Sequence, residues 1–156
     1  MKTLIIYNST YKKNTEQIAK VIAKEIKAEL VPLKDAVNIS IKNYDLIGFG
    51  SGVYKESMAP QLFQYVNTLD LKNKNCFVFS TSGMGAKFYN NKLIKLLKKK
   101  GANCTGSFAC KGSFVSRDFS NNKIFEFMGK LSQGHPNTKD IKKAEKFSNQ
   151  LKSTSN

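Results

Sequence analysis

Residues 8 to 15 read Asn8-Ser9-Thr10-Tyr11-Lys12-Lys13-Asn14-Thr15, a run in which hydroxyl, amide and ammonium donors crowd together. Just before it stands the apolar stretch Leu4-Ile5-Ile6-Tyr7; just after it Ile18, Ile22 and Ile26, with Ala19 and Ala23, recur at helical spacing. A buried strand therefore feeds a polar turn and then a helix. That order aims the free N–H groups of the first helical turn, and the positive end of its dipole, at one point. Ser9, Thr10, Asn14 and Thr15 add neutral donors there, and Lys12 and Lys13 can add charge. The chemistry is capture of a phosphate; the competing reading is an ordinary strand-to-helix turn.

Two later loops carry chemistry of another kind. Ser51-Gly52-Val53-Tyr54-Lys55-Glu56 and Thr81-Ser82-Gly83-Met84-Gly85-Ala86 are rich in Gly, Ser and Thr. Their glycines let backbone N–H and C=O groups approach the polar edge of a flat heterocycle, and Tyr54 can stack on such a ring or stand as a surface aromatic. Met84 can touch a ring or fill a gap. His135, the one histidine, precedes Pro136 and has no Cys or carboxylate at ligand spacing, so it reads as part of a turn before a helix rather than as a metal ligand.

The elements that must position these loops alternate. Helical periodicity covers 14–28, with Asn14 and Gln17 as a capping pair, and a short strand is expected over 29–33. An apolar run at 44–50 suits a strand covered on both faces. Pro60 suits the first turn of a helix with Leu62, Phe63, Val66 and Leu69 inward, and residues 75–80 read as another buried strand. A helix over 89–100 closes at Gly101, and a weaker strand follows at 103–109. A last helix follows Pro136, capped by Asn137 and Asp140, with Ile141, Ala144, Phe147 and Leu151 inward. Residues 111–135 read as a long connection. Five strands and four helices in alternation predict an α/β fold, an open, doubly wound parallel sheet with helices on both faces. Ligands of such sheets bind at the carboxyl ends of the strands where the strand order reverses, which selects the three loops above.

The 156 residues suit one domain, spanning 1–156. The apolar stretch near the N-terminus is too short for a secretion signal and no run approaches a membrane span, so a cytoplasmic protein is expected. Cys76, Cys104 and Cys110 form no C-x-x-C pair and are odd in number, as buried reduced thiols would be, with Cys110 near a strand end as the candidate exception. A formal net charge of +15, carried by 25 Lys and Arg117, favours anionic partners. Lysine-rich coding bias explains the same count, and Lys92, Lys95, Lys98, Lys99 and Lys100 read as a solvated helix face. The scarcity of Arg argues against base-edge readout, so no specific nucleic acid is expected.

Taken together, Ser9-x4-Asn14-Thr15, Tyr44-Asp-Leu-Ile-Gly-Phe-Gly-Ser51 and Phe79-Ser-Thr-Ser-Gly83 give a sequence that resembles the flavodoxin family over nearly the whole chain. It is also similar to a subgroup carrying a late Gly-His-Pro-Asn motif, here Gly134 to Asn137. The resemblance, rather than the spacing, implies a three-layer fold with five parallel strands in the order 2-1-3-4-5 and a bound FMN. It implies phosphate contacts from Ser9, Thr10, Lys12, Lys13, Asn14 and Thr15, within a loop that includes Tyr11. Contacts to the isoalloxazine ring fall to Ser51, Gly52, Val53 and Tyr54, and to Thr81, Ser82, Gly83, Met84 and Gly85. Relatives have Gly where Lys13 stands, so a loop of different shape is expected. Cys110-Lys-Gly112 matches a Cys-x-Gly after the fifth strand, whose loop would cover the ring. The implied function is electron transfer to a redox partner protein; the lysine-rich surface, by charge alone, suggests an acidic partner such as a ferredoxin or a reductase, and a monomer without membrane insertion is expected. An FMN-dependent quinone or protoporphyrinogen-type reductase, and a cofactor-free basic nucleic-acid-binding module, are the alternatives.

Overall fold

The computed structural model describes residues 1–118 and 121–153; part of the 111–135 connection, Phe119 and Ser120, lies outside the described residues. Strand β1 (Thr3–Asn8) is buried because it has a parallel neighbour on each side, β2 (Glu29–Pro32) and β3 (Leu46–Tyr54). A two-residue strand, β4 (Ser57–Met58), folds back antiparallel on the end of β3. Beyond β3 come β5 (Asn75–Ser82) and β6 (Asn103–Lys111), so the sheet runs β2-β1-β3-β5-β6. The five long parallel strands thus stand in the expected order, and β4 is an addition at the mouth of the second loop.

Helices cover both faces. On one, Ile18, Ile22 and Ile26 of α1 (Asn14–Ile26) and Ala144, Phe147 and Leu151 of α5 (Thr138–Ser153) pack with Ile5, Phe77, Phe79 and Phe108. On the other, Leu62 and Val66 of α2 (Pro60–Thr68) and Leu93 and Leu97 of α3 (Asn91–Lys99) meet Leu4, Ile6, Ile47, Phe49 and Val78. Each fully buried Leu or Ile of these stripes contributes about 1.5–3 kcal/mol of transfer free energy. Strand β3 carries Gly48 and Gly50 because Phe77 and Phe79, their register partners on β5, lay their rings over the two glycines.

Besides β3 and β5 running on to Tyr54 and Ser82, past the expected ends at 50 and 80, the structure departs from the sequence reading at four places. Residues 111–135 contain a fifth helix, α4 (Lys123–Ser132), whose start is capped by Asn122 Oδ1 accepting from Ile124 N–H at 2.9 Å. The Asn14–Gln17 cap does not form: Asn14 is already helical, and Ser9 Oγ instead accepts the Glu16 N–H at 3.2 Å. The helix expected over 89–100 begins with a 3₁₀ turn, Lys87–Asn90, pinned by Asn90 Nδ2 donating to Ser107 Oγ and to Phe108 O. Finally, β6 runs on to Lys111, where pairing with Ser82 extends the ladder to the loop. The Asn137–Asp140 cap of α5 does form: Asn137 Oδ1 accepts from the N–H of Lys139 and Asp140, and Asp140 Oδ2 from the N–H of Asn137.

Candidate functional site

The register Asn8↔Ser51 and Gly52↔Thr81, with Thr81↔Cys110 beyond, brings the carboxyl ends of β1, β3, β5 and β6 to one level. Their loops enclose a cavity of about 300 Å³. Its base is polar: Thr15, 1% exposed at the start of α1, hydrogen-bonds the Thr81 hydroxyl at 2.8 Å. Its walls are aromatic. Tyr54 folds over Gly52, where a Cβ would lie 2.7 Å from the Tyr54 hydroxyl, and Phe114 lies over Gly83, where a Cβ would lie 2.4 Å from the ring. Thr10 fixes Tyr54 by donating to its hydroxyl at 2.8 Å.

Of the residues singled out from sequence, Tyr11, Asn14, Thr15, Gly52, Val53, Tyr54, Thr81, Ser82, Gly83 and Met84 line this cavity. The others do not. Ser9 caps the Glu16 N–H, Thr10 holds Tyr54, and Ser51 is wholly buried, its Oγ accepting from Ala59 N–H at 3.0 Å and donating to Gly52 O at 2.6 Å. Gly85 adopts φ +66 and donates its N–H to Ser82 Oγ at 2.8 Å. Lys12 borders a second cavity of about 680 Å³ between residues 113–116 and α4. Lys13 takes φ 54 and ψ 24, a left-handed conformation that glycine adopts at less cost, and Lys12 beside it has φ 48.

Sequence reasoning missed Tyr89, Ile124 and Met128, which also line the smaller cavity. Gly112, Ser113 and Phe114, just past β6, form one wall. Tyr11 OH donates to Asp118 Oδ2 at 2.5 Å and accepts from Val115 N–H at 3.0 Å; burial first, and the Asp118 hydrogen bond second, raise its pKa. Burial, then the charge of Glu56, does the same to Tyr89. Tyr11 and Tyr89 therefore stay neutral phenols.

Cys110 is 4% exposed, and burial together with the Asp140 charge pushes its thiol far up. Burial pushes Cys76 up to about 12. A thiol held neutral is a poor nucleophile, which removes Cys110 as an exception to the structural reading. Among the described residues no group of three or more His, Cys, Asp or Glu is placed to hold a metal ion, and no helix is long and apolar enough to cross a membrane.

A doubly wound sheet whose strand-end loops enclose an aromatic-walled cavity beside the N-terminus of α1 defines the flavodoxin-like class. The chain belongs to the flavodoxin domain family, which it matches over residues 4–139. It is 39% identical over 153 residues to an uncharacterised protein of Methanocaldococcus jannaschii, with 97% of this chain and 98% of the relative covered. Among solved structures, a flavodoxin from the domain Archaea superposes with TM-score 0.71 at 14% identity, over 99% of both chains. Flavodoxin 2 from Bacillus cereus gives TM-score 0.67 at 18% identity, again over 99% of both. At these identities the two structures establish the fold.

Proposed function

We propose that the chain binds FMN and works as a flavodoxin-like electron-transfer protein. One observation carries the reading: a cavity of about 300 Å³, walled by Tyr54, Tyr89 and Phe114, that opens beside the first turn of α1. That volume sits at the lower end of small-molecule sites, about 300–1,000 Å³, and suits a planar ring whose polar tail lies outside it. The residues fit the group. The N–H groups of Asn14 and Thr15 belong to a first helical turn, which has no intrahelical acceptor for them, and would hold the anion end with the helix dipole behind them. Lys12 and Lys13 add positive charge in the same loop.

When bound, the flavin supplies the electron-accepting ring, and the protein supplies the rest. Gly52 and Gly83 bring backbone within reach of the ring edge, Tyr54 and Phe114 exclude water from its faces, and Lys55 and Glu56 are the charged side chains of the lining. The protein reads as a single domain whose redox partner is an acidic protein. Ile124, Phe127 and Leu131, spaced i, i+3 and i+7 on α4, are 66, 63 and 50% exposed beside the cavity mouth and flanked by Lys123 and Lys130. A face of that kind fits an acidic protein with an apolar centre. The adjoining cavity of about 680 Å³ favours a second reading, an FMN-dependent reductase with its substrate between residues 113–116 and α4.

Titration with FMN, followed by absorbance and gel filtration, tests the first point: flavin bands should elute with the protein. A colourless eluate at saturating FMN overturns it. Steady turnover of NAD(P)H with a quinone would move the assignment to the reductase, whereas a bound flavin that passes electrons to an acidic ferredoxin without such turnover supports the carrier.

A further inference from the structure

The segment just past β6 is tied to three other parts of the chain. Gly112 N–H donates to Ser82 O at 2.9 Å and Ser113 N–H to His135 O at 2.8 Å. Asn14 Nδ2 donates to Ser113 O at 2.9 Å, across 99 residues of sequence. Both backbone groups of Ser113 are thereby spent on elements that belong to opposite ends of the chain, the first turn of α1 and the turn before α5.

What fixes the α5 side is His135. Its Nδ1 lies 2.5 Å from Asp140 Oδ2, and since a carboxylate only accepts, the proton is on Nδ1. The same Oδ2 accepts the Asn137 N–H at 2.9 Å, and Asp140 is 6% exposed. The carboxylate thus locks the ring and the backbone of the turn together. That turn's carbonyl is the one that Ser113 uses.

We propose that His135 and Asp140 are positioning residues for the flavin nucleotide, acting through Ser113 to hold the 112–115 strap over the cavity and to seat Asn14 at the phosphate end. The inference rests on the FMN reading. The strap carries Phe114, the ring over Gly83, so loosening it opens one wall of the cavity, and it releases Asn14, whose position sets the first turn of α1. The Gly-His-Pro-Asn stretch, which the cavity itself does not use, thereby gains a task in binding.

The test has an arm that needs no flavin. In flavin-free protein, trypsin cleavage after Lys111 reports opening of the strap. His135→Leu should speed that cleavage about tenfold and weaken FMN by a similar factor; His135→Asn, whose amide can place a donor where Nδ1–H was, should restore most of both. Ser148→Ala serves as the control, since it removes the Ser148 Oγ to Ala144 O hydrogen bond inside α5 and leaves both ring nitrogens of His135 with their partners. Combining His135→Leu with Asn14→Ala should weaken FMN no more than the stronger single change, because both act through one strap. Wild-type cleavage rates in His135→Leu, or equal effects from Ser148→Ala, overturn the proposal. Failure of the wild-type chain to bind FMN instead defeats the functional reading, and the cleavage arm still decides whether His135 holds the strap.

Discussion

Gly50→Ala should be the most damaging methyl addition near the site. A Cβ at Gly50 would lie 2.1 Å from Phe79 Cζ and 2.4 and 2.6 Å from the adjoining ring carbons. Non-bonded carbons rest at about 3.5–4.0 Å, so the ring would have to retreat by about 1.5 Å. It has nowhere to go. Phe79 is fully buried and stacked on Phe77 with centroids 6.2 Å apart, and Phe77 meets Phe147 edge-on at 5.9 Å. Overpacking costs about 1–3 kcal/mol, and a ring wedged among rings belongs at the upper end. At about 2–4 °C per kcal/mol for a domain of this size, the melting temperature should fall by about 6–12 °C in a circular-dichroism melt. Phe79→Leu on the same background removes the clash, so the double variant should be more stable than the two single effects predict by at least about 1 kcal/mol. A Tm within about 1 °C of wild type, or strict additivity, would refute the claim that the glycine exists to seat the ring.

Thiol labelling at pH near 8 should modify Cys104, half-buried, first, while Cys76 and Cys110 react only on unfolding; early labelling of Cys110 would contradict its burial. Because folding keeps the Cys76 thiol neutral, its share of stability is complete below the unfolded value of 9.0 and is lost as pH climbs toward about 12, so urea midpoints should drop across that window. Lys13→Gly should raise the melting temperature by about 1–3 °C, since relief of about 1–2 kcal/mol of left-handed strain exceeds glycine's chain-entropy cost of about 0.5–1 kcal/mol, yet weaken FMN about two- to fivefold at low salt and spare riboflavin. With Lys12, Lys13 and Lys55 in the two loops at the site, the second one-electron potential of bound FMN should be less negative than in acidic flavodoxins, at about 59 mV for each 1.4 kcal/mol of preference for the anionic reduced flavin; a potentiometric titration giving an equally low value counts against it. Phe127→Ser with Leu131→Ser should slow electron exchange with an acidic ferredoxin and leave FMN affinity intact, because neither side chain lines the cavity.

The strands and the four long-recognised helices were readable because each is a local pattern with one explanation. Leu4 to Tyr7 is apolar because it lies between two strands and two helix layers, and Ile18, Ile22 and Ile26 repeat at helical spacing because they meet the sheet. Helix α4 defeated the same logic. Its apolar residues Ile124, Phe127 and Leu131 do repeat at helical spacing, but they point to solvent, and the stretch is interrupted by Gly129 and preceded by Asn121-Asn122. The binding loops stood out as Gly, Ser and Thr clusters at strand ends, yet polarity alone does not say which way a hydroxyl points. Ser9, Thr10 and Ser51 all turn their oxygens to protein partners, and the tie between Asn14 and Ser113 joins residues with no local signal for each other.

Composition left open whether the lysines are a coding bias or a device, and the backbone distinguishes two groups. Lys92, Lys95, Lys98 and Lys99 sit on α3 in ordinary helical conformation, where lysine is cheap and any polar residue would serve. Lys12, Lys13 and Lys55 have φ of 48, 54 and 46, with Glu56 at 66 beside them, in the two loops that flank the cavity. A side chain in that region costs about 1–2 kcal/mol, which glycine would remove, and the chain does use glycine at the turns of Gly101 and Gly134, with φ of 80 and 72. Lys27 at the end of α1 and Asn73, with φ of 53 and 60, take the same conformation at turns away from the cavity, so strain alone does not separate a device from a bias. What sets the two loops apart is the balance of charge, three left-handed lysines against Glu56, and that excess adds to the field of N–H groups that left-handed turns direct toward an anion.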